Sequence, residues 1–150
     1  MRAVIQRVKE CSVTVDGELC SSITEGLMVL LGIGEDDTDE DISWLTGKII
    51  NMRIFDDENG VMNRSVMDVT GNIMIISQFT LMAQTKKGNR PSYIKAARPD
   101  FSKPMYERFC DAVEKESGIM VQKGIFGADM KVRLLNDGPV TIVMDTKNRE

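Results

Sequence analysis

The segment "ISQFTLMA", residues 76–83, sets three hydrogen-bonding side chains, Ser77, Gln78 and Thr80, into an otherwise apolar run. On a strand, alternation puts Ser77, Phe79 and Leu81 on one face and Gln78, Thr80 and Met82 on the other. A bulge near the strand end would bring both sets to one pocket. The plainer use of such groups is to satisfy neighbouring backbone in a barrel core. As chemistry, a hydroxyl without an adjacent base is a weak nucleophile. A reaction here therefore needs a substrate that is already activated. The protein would position it and offer backbone N–H groups to a developing oxyanion.

Elimination supports that restriction. The chain contains no histidine, which removes the commonest general base, the serine and cysteine triads that depend on one, and every histidine-ligated metal site. Cys11, Cys20 and Cys110 are odd in number and far apart, unlike a zinc site or a disulfide framework, and read as reduced, mostly buried thiols. No Walker-type phosphate loop occurs, and the glycines of "GIG" at 32–34 lack the third glycine and the helix start of a dinucleotide fingerprint. Most carboxylates lie in acidic loops, which favours a solvated surface over a catalytic pair. No metal and no cofactor are expected.

The elements that must hold these residues belong to one domain, residues 1–150. A length of 150 residues with 42% apolar and 28% charged side chains suits a single core and excludes disorder. The start, "MRAVIQRVKE", lacks the apolar core of a secretion signal, and no stretch approaches the roughly 20 apolar residues of a membrane helix. A cytoplasmic protein with no membrane partner is expected. Net charge is −4, which argues against broad electrostatic binding of nucleic acid, but it is unevenly spread. Residues 35–41 carry six acids and no base, whereas residues 86–103 hold Lys86, Lys87, Arg90, Lys95, Arg98 and Lys103 against Asp100 alone. One face could meet phosphate while another repels it, although either run by itself reads as a solvated loop.

"RAVIQRV" and "CSVTV" alternate as half-buried strands, and "VDGEL" supplies an Asp-Gly hairpin turn before "LCSSI". "GLMVLLGI" is a continuous apolar run that reads as a central strand. After the acidic loop, Thr38 can cap a helix whose apolar face carries Ile42, Leu45, Ile49 and Ile50. "DDENG" and "TGN" are turns, and "NIMIISQFTLMA" reads as one long inner strand. "FSKPMYERFCDAVEKESG" predicts a second helix capped by Ser102, with Pro104 in its first turn, an apolar stripe of Met105, Phe109, Ala112 and Val113, and Gly118 at its end. Two last strands, "ADMKVRLLN" and "PVTIVMDT", surround the turn "NDGP". The fold class is α+β: an antiparallel-rich curled sheet or β-barrel-like single domain with two outer helices.

"SQFTLMA" at 77–83 together with "NDGPVT" at 136–141 resembles the D-aminoacyl-tRNA deacylase (D-tyrosyl-tRNA deacylase) family, and the likeness runs from "VIQRV" to the last strand. The resemblance implies a homodimeric β-barrel-like fold that hydrolyses the ester between a D-amino acid and the terminal adenosine of tRNA. It extends to glycyl-tRNA mischarged on tRNA-Ala, and it implies no metal or cofactor. Ser77, Gln78, Phe79 and Thr80 would line the reacting ester, with backbone amides near Phe79 and Thr80 as oxyanion donors. Gly138 and Pro139 match the family's chirality filter, a Gly-cis-Pro pair whose carbonyls reach the partner subunit's pocket, and Arg7 would fix that loop. Phe126 and Met130 are candidates for contact with the adenine and its surroundings, or for ordinary packing. Cys11 departs from the small residue expected there and touches nothing catalytic.

Whether Thr80 attacks directly or the tRNA's terminal 2′-hydroxyl assists water stays open, and the missing base favours the second. Two other classes of function stay in view beside the esterase. One is a single-stranded RNA-binding module without turnover, which the basic segment permits but the shortage of aromatics disfavours. The other is an assembly protein whose polar strand residues only satisfy its core.

Overall fold

The computed structural model describes residues 1–150. In chain order the elements are β1 (Arg2–Val15), β2 (Glu18–Ile23), β3 (Gly26–Gly32), α1 (Asp39–Asn51), β4 (Phe55–Asp56), β5 (Met62–Arg64), β6 (Asn72–Ser77), a 3₁₀ turn (Phe79–Met82), α2 (Pro99–Ser117), β7 (Val121–Lys123) and β8 (Met130–Asp145). The main sheet runs β2-β1-β3-β6-β7, and β8 lies along β1. β2, β3 and β8 each pair antiparallel with β1, while β3–β6 and β6–β7 are parallel. The hairpin between β1 and β2 turns on Asp16 and Gly17, both at positive φ, as the Asp-Gly pair predicts. The sheet curls until the Ser21 hydroxyl of β2 donates to the Lys123 carbonyl of β7 at 2.8 Å. The outcome is one α+β domain with a nearly closed, barrel-like sheet and two helices.

Alternation along β3 and β6 separates two cores. Leu27, Val29, Leu31, Ile73 and Ile75 face the helices and join Leu45 and Ile49 of α1 and Phe109 and Val113 of α2. Met28, Met74 and Ile76 point inward and pack with Val8, Cys11, Val13 and Ile23. Strands covered on both faces read as continuous apolar runs, which explains "GLMVLLG" and "NIMII". Each large side chain so buried stabilises the fold by about 1.5–3 kcal/mol. Cys11 sits in the inner core with its Sγ 3.6 Å from the Met74 Sδ, and burial pushes its thiol up to about 11. It behaves as a small apolar group. Cys110 is buried too, whereas Cys20 is exposed.

Several sequence expectations need correction. The inner strand stops at Ser77 rather than running to Ala83, and the chain then tightens into the 3₁₀ turn. Strict two-face alternation therefore ends at the serine. Helix α2 begins at Pro99, one turn before Ser102, whose hydroxyl donates to the Arg98 carbonyl at 3.1 Å from inside the helix. Pro99 at the first helical position, with its preset φ, explains the earlier start. The two final strands form one long strand paired with β1 on both sides of register shifts at Gln6–Val8 and Val8–Glu10. The acidic run is not wholly solvated. Asp37 is buried against the N-terminal ammonium, and the buried Asp41 carboxylate accepts from Lys147 at 2.8 Å and from the Thr38 N–H at 2.8 Å. Burial would raise the Asp41 carboxyl, but these donors hold it well below the usual carboxylate range.

Candidate active site

Where β6 ends, Ser77, Gln78 and Phe79 form one wall of a cavity of about 530 Å³, a size in the range of roughly 300–1,000 Å³ typical of small-ligand sites. Leu31 and Ile33 from the end of β3 form its apolar floor, with Ile76. A second wall comes from Ala96, Ala97 and Pro99, the segment leading into α2, and from Ser102 in its first turn. The third is Phe126 to Met130, the run entering β8. The cavity thus lies at the carboxyl ends of the parallel strands β3 and β6, where backbone leaves the sheet and side chains can converge.

Local packing places the polar wall. The Gln78 N–H donates to the Leu31 carbonyl at 2.7 Å, the last link of the parallel ladder, and the turn then folds over Gly32. A Cβ on Gly32 would lie 2.9 Å from the Leu81 Cβ and 3.0 Å from the Gln78 carbonyl. Glycine at 32 is therefore required for the turn to approach. The facing segment is held by the Ala97 N–H to the Ile33 carbonyl at 2.9 Å and by a bridge between Gly34 and Ala96. Phe126 is braced from behind by Tyr106, ring centroids 5.9 Å apart. The Tyr106 hydroxyl in turn donates to the Ile75 carbonyl at 2.7 Å, and burial pushes its pKa far up.

The cavity's chemistry is spare. Asp129 is the one ionisable side chain on its lining. It sits on the solvent side, ion-paired with Lys131 at 2.8 Å. The Gln78 side-chain N–H donates to the Thr80 hydroxyl oxygen at 2.5 Å, which engages one of that oxygen's two lone pairs. Thr80 itself does not line the cavity. At the start of a 3₁₀ turn, the first N–H groups have no partner within the turn and are free to meet an anionic oxygen. The arrangement can bind, orient and stabilise negative charge, and it holds no interior base.

Of the residues singled out from the sequence, Ser77, Gln78, Phe79, Phe126 and Met130 meet at this cavity. Arg7, Gly138 and Pro139 do not line it. Arg7 is buried and ties a separate cluster: its guanidinium donates to the Ile54 carbonyl at 2.7 Å and contacts the Asp56 and Asp137 carboxylates at 3.3 and 3.2 Å. The Gly138–Pro139 peptide is cis and exposed, with Gly138 at φ 120°. A Cβ there would meet Val140 at 2.8 Å and the Arg7 guanidinium at 3.2 Å, so only glycine fits. The Asn136 amide spans the loop, donating to the Arg7 and Val140 carbonyls at 3.0 and 3.1 Å.

A family model described as D-Tyr-tRNA(Tyr) deacylase matches residues 4–145. The chain belongs to this deacylase family. A protein of Flavobacterium johnsoniae named D-aminoacyl-tRNA deacylase is 69% identical over the whole of both chains. One of Parabacteroides distasonis with the same name is 63% identical over the same extent. Among solved structures, the chain is similar to one titled c-Myc DNA Unwinding Element Binding Protein, at 41% identity and a TM-score of 0.91 over 97% of this chain and 98% of that one. It also shares its fold with a probable eukaryotic D-amino acid tRNA deacylase, at 20% identity and a TM-score of 0.82 over 95% and 97%. The chain is accordingly an enzyme, a D-aminoacyl-tRNA deacylase of the hydrolase class. No helix is long and apolar enough to cross a membrane.

Sequence reasoning missed Gly32, Ala96, Ala97, Pro99, Ser102 and Asn136. "GIG" was testable only as a nucleotide fingerprint, because close approach by a turn about fifty residues later leaves no local mark. Asn136 stood inside the second motif, where a side chain able to donate twice, two residues before a glycine, was a usable signal.

Proposed function

We propose that this deacylase hydrolyses the ester joining a D-amino acid, or glycine, to the terminal adenosine of tRNA, and that it rejects L-aminoacyl groups sterically. The observation supporting the reading most is that Ser77, Gln78, Phe79, Phe126 and Met130 line one cavity without an interior base. An aminoacyl ester is an activated acyl group, so positioning and oxyanion stabilisation suffice. Phe126 and Met130 face the adenosine, and the carbonyl carbon lies at the Ser77–Phe79 wall. Water, assisted by the terminal 2′-hydroxyl, adds to that carbon, and the amides of Phe79 and Thr80 hold the oxyanion. Collapse breaks the C–O bond, and the ribose oxygen leaves with a proton, releasing tRNA and the free amino acid.

The Gly138–Pro139 loop is the filter and acts in trans. It is exposed and does not line its own chain's cavity, which suits entry into the pocket of a second copy in a homodimer. Arg7, Asp137 and Asn136 keep it from yielding. Fixed carbonyls there would clash with an L-side chain, while a D-side chain points away and glycine has nothing to reject.

The test is release of amino acid from D-tyrosyl-, glycyl- and L-tyrosyl-tRNA in EDTA. We expect turnover of the first two, a rate at least about a hundredfold lower for the L form, and no loss in chelator. Comparable rates for the L and D forms, or activity restored only by zinc, would overturn the reading.

A further inference from the structure

Phe79 is 57% exposed and Tyr93 39% exposed, and their rings meet edge to face with centroids 5.1 Å apart. Phe79 lines the cavity, whereas Tyr93 stands outside it. Phe79 edges the cavity that a second copy's loop is proposed to enter, which leaves Tyr93, outside the cavity, as the ring open to a further ligand group. The turn that carries Tyr93 is fixed. Its carbonyl accepts from the Ala96 N–H at 2.9 Å, and Ala96 is cavity wall. Just before it, Gln84 and Ser92 exchange two backbone hydrogen bonds at 2.8 and 3.0 Å, which closes residues 85–91 into a pinned loop.

Resting on the reading above, in which the cavity takes the terminal aminoacyl-adenosine, we propose that Tyr93 and Phe79 form a second subsite. It stacks the base of the unpaired nucleotide that precedes the terminal adenosine. A cavity of about 530 Å³ accommodates one aminoacyl-nucleoside, so the next nucleotide must leave over a rim. The charge on the two rims differs. Beside Phe126 the rim carries the Asp129 carboxylate, paired with Lys131. On the Tyr93 side Lys86, Lys87, Arg90 and Arg98 make no ion pair with any carboxylate of the chain, so they are available to phosphate, whereas Lys95 shares a separate pocket with Glu35, Asp36 and Asp37. The strand of phosphates therefore leaves across the two rings. In an edge-to-face pair one ring keeps its own faces open, which is the geometry a base needs to stack.

The experiment compares three D-tyrosyl esters: adenosine, the trinucleotide ending CCA, and full tRNA, each with wild-type, Tyr93→Ala and Tyr93→Phe protein. Wild-type protein should show a lower KM for the trinucleotide than for the nucleoside. Tyr93→Ala should shrink that advantage by about tenfold, within the range measured for a lost base–aromatic stack, and Tyr93→Phe should restore it. A trinucleotide advantage that Tyr93→Ala leaves intact would overturn the subsite. So would an equal loss on the nucleoside, or a changed oligomeric state of the variant in sedimentation. Failure of wild-type protein to hydrolyse even the nucleoside ester would instead sink the assignment of the cavity itself.

Discussion

Thr80 is the residue whose chemistry the geometry constrains most. Its hydroxyl oxygen accepts from Gln78 at 2.5 Å, and neither a histidine nor an interior carboxylate is at hand to take its proton. An unassisted hydroxyl attacks slowly. A neighbouring 2′-hydroxyl of the substrate has proximity and orientation supplied by the bond framework itself. The expected outcome is that Thr80→Ala keeps turnover within about tenfold of the original protein, while a tRNA ending in 2′-deoxyadenosine loses about a hundredfold or more. Single-turnover rates with the matched pairs measure both, and an acyl-enzyme trapped on Thr80 would decide for direct attack.

At the scale of elements, the decisive feature is the change of backbone at Ser77. "NIMIISQFTLMA" has the apolar density of one long strand, but the ladder with β3 ends at the Leu31–Ser77 pair, one residue before β3 itself ends at Gly32. Without a partner edge, the following residues take i→i+3 bonds, the Ala83 N–H reaching the Thr80 carbonyl at 3.1 Å. That turn seats on Gly32, so Gly32→Ala should push Gln78 and Leu81 outward. We expect a destabilisation of about 1–3 kcal/mol, typical of overpacking, with kcat falling more steeply than the melting temperature suggests. Urea unfolding and steady-state kinetics on the same preparation separate the two effects, and an unchanged kcat would show that the turn tolerates displacement.

At the scale of the molecule, the cavity and the Gly138–Pro139 loop are separate features of one chain, and the proposal that they meet between copies can be tested by mixing. A Pro139→Ala protein is expected to hydrolyse L-tyrosyl-tRNA. A Ser77→Phe protein, its cavity filled, should hydrolyse nothing but keeps an intact loop. If the loop acts in trans, exchanging subunits at equal ratio gives half the open cavities an intact filter, and L-hydrolysis falls by about half. If it acts on its own chain, mixing changes nothing. Measured L-tyrosine release before and after subunit exchange discriminates the two.

Much of this was legible beforehand because it is local. Periodicity placed α1 and its buried Ile42, Leu45, Ile49 and Ile50, the Asp-Gly pair placed the first hairpin, and the empty histidine count restricted the chemistry before any coordinate was known. Two motifs sixty residues apart identified the family. What needed the tertiary structure was everything set by a distant partner: the strand end at Ser77, decided by the length of β3; the glycine demanded at 32 by a turn from another element; and Asp37 and Asp41, drawn out of an acidic run by the N-terminal ammonium and Lys147. Periodicity reports which face of an element is buried, but it carries no information about what lies against that face. The walls of the cavity, taken from β6, the approach to α2 and the entry to β8, become neighbours only when the curled sheet brings them together.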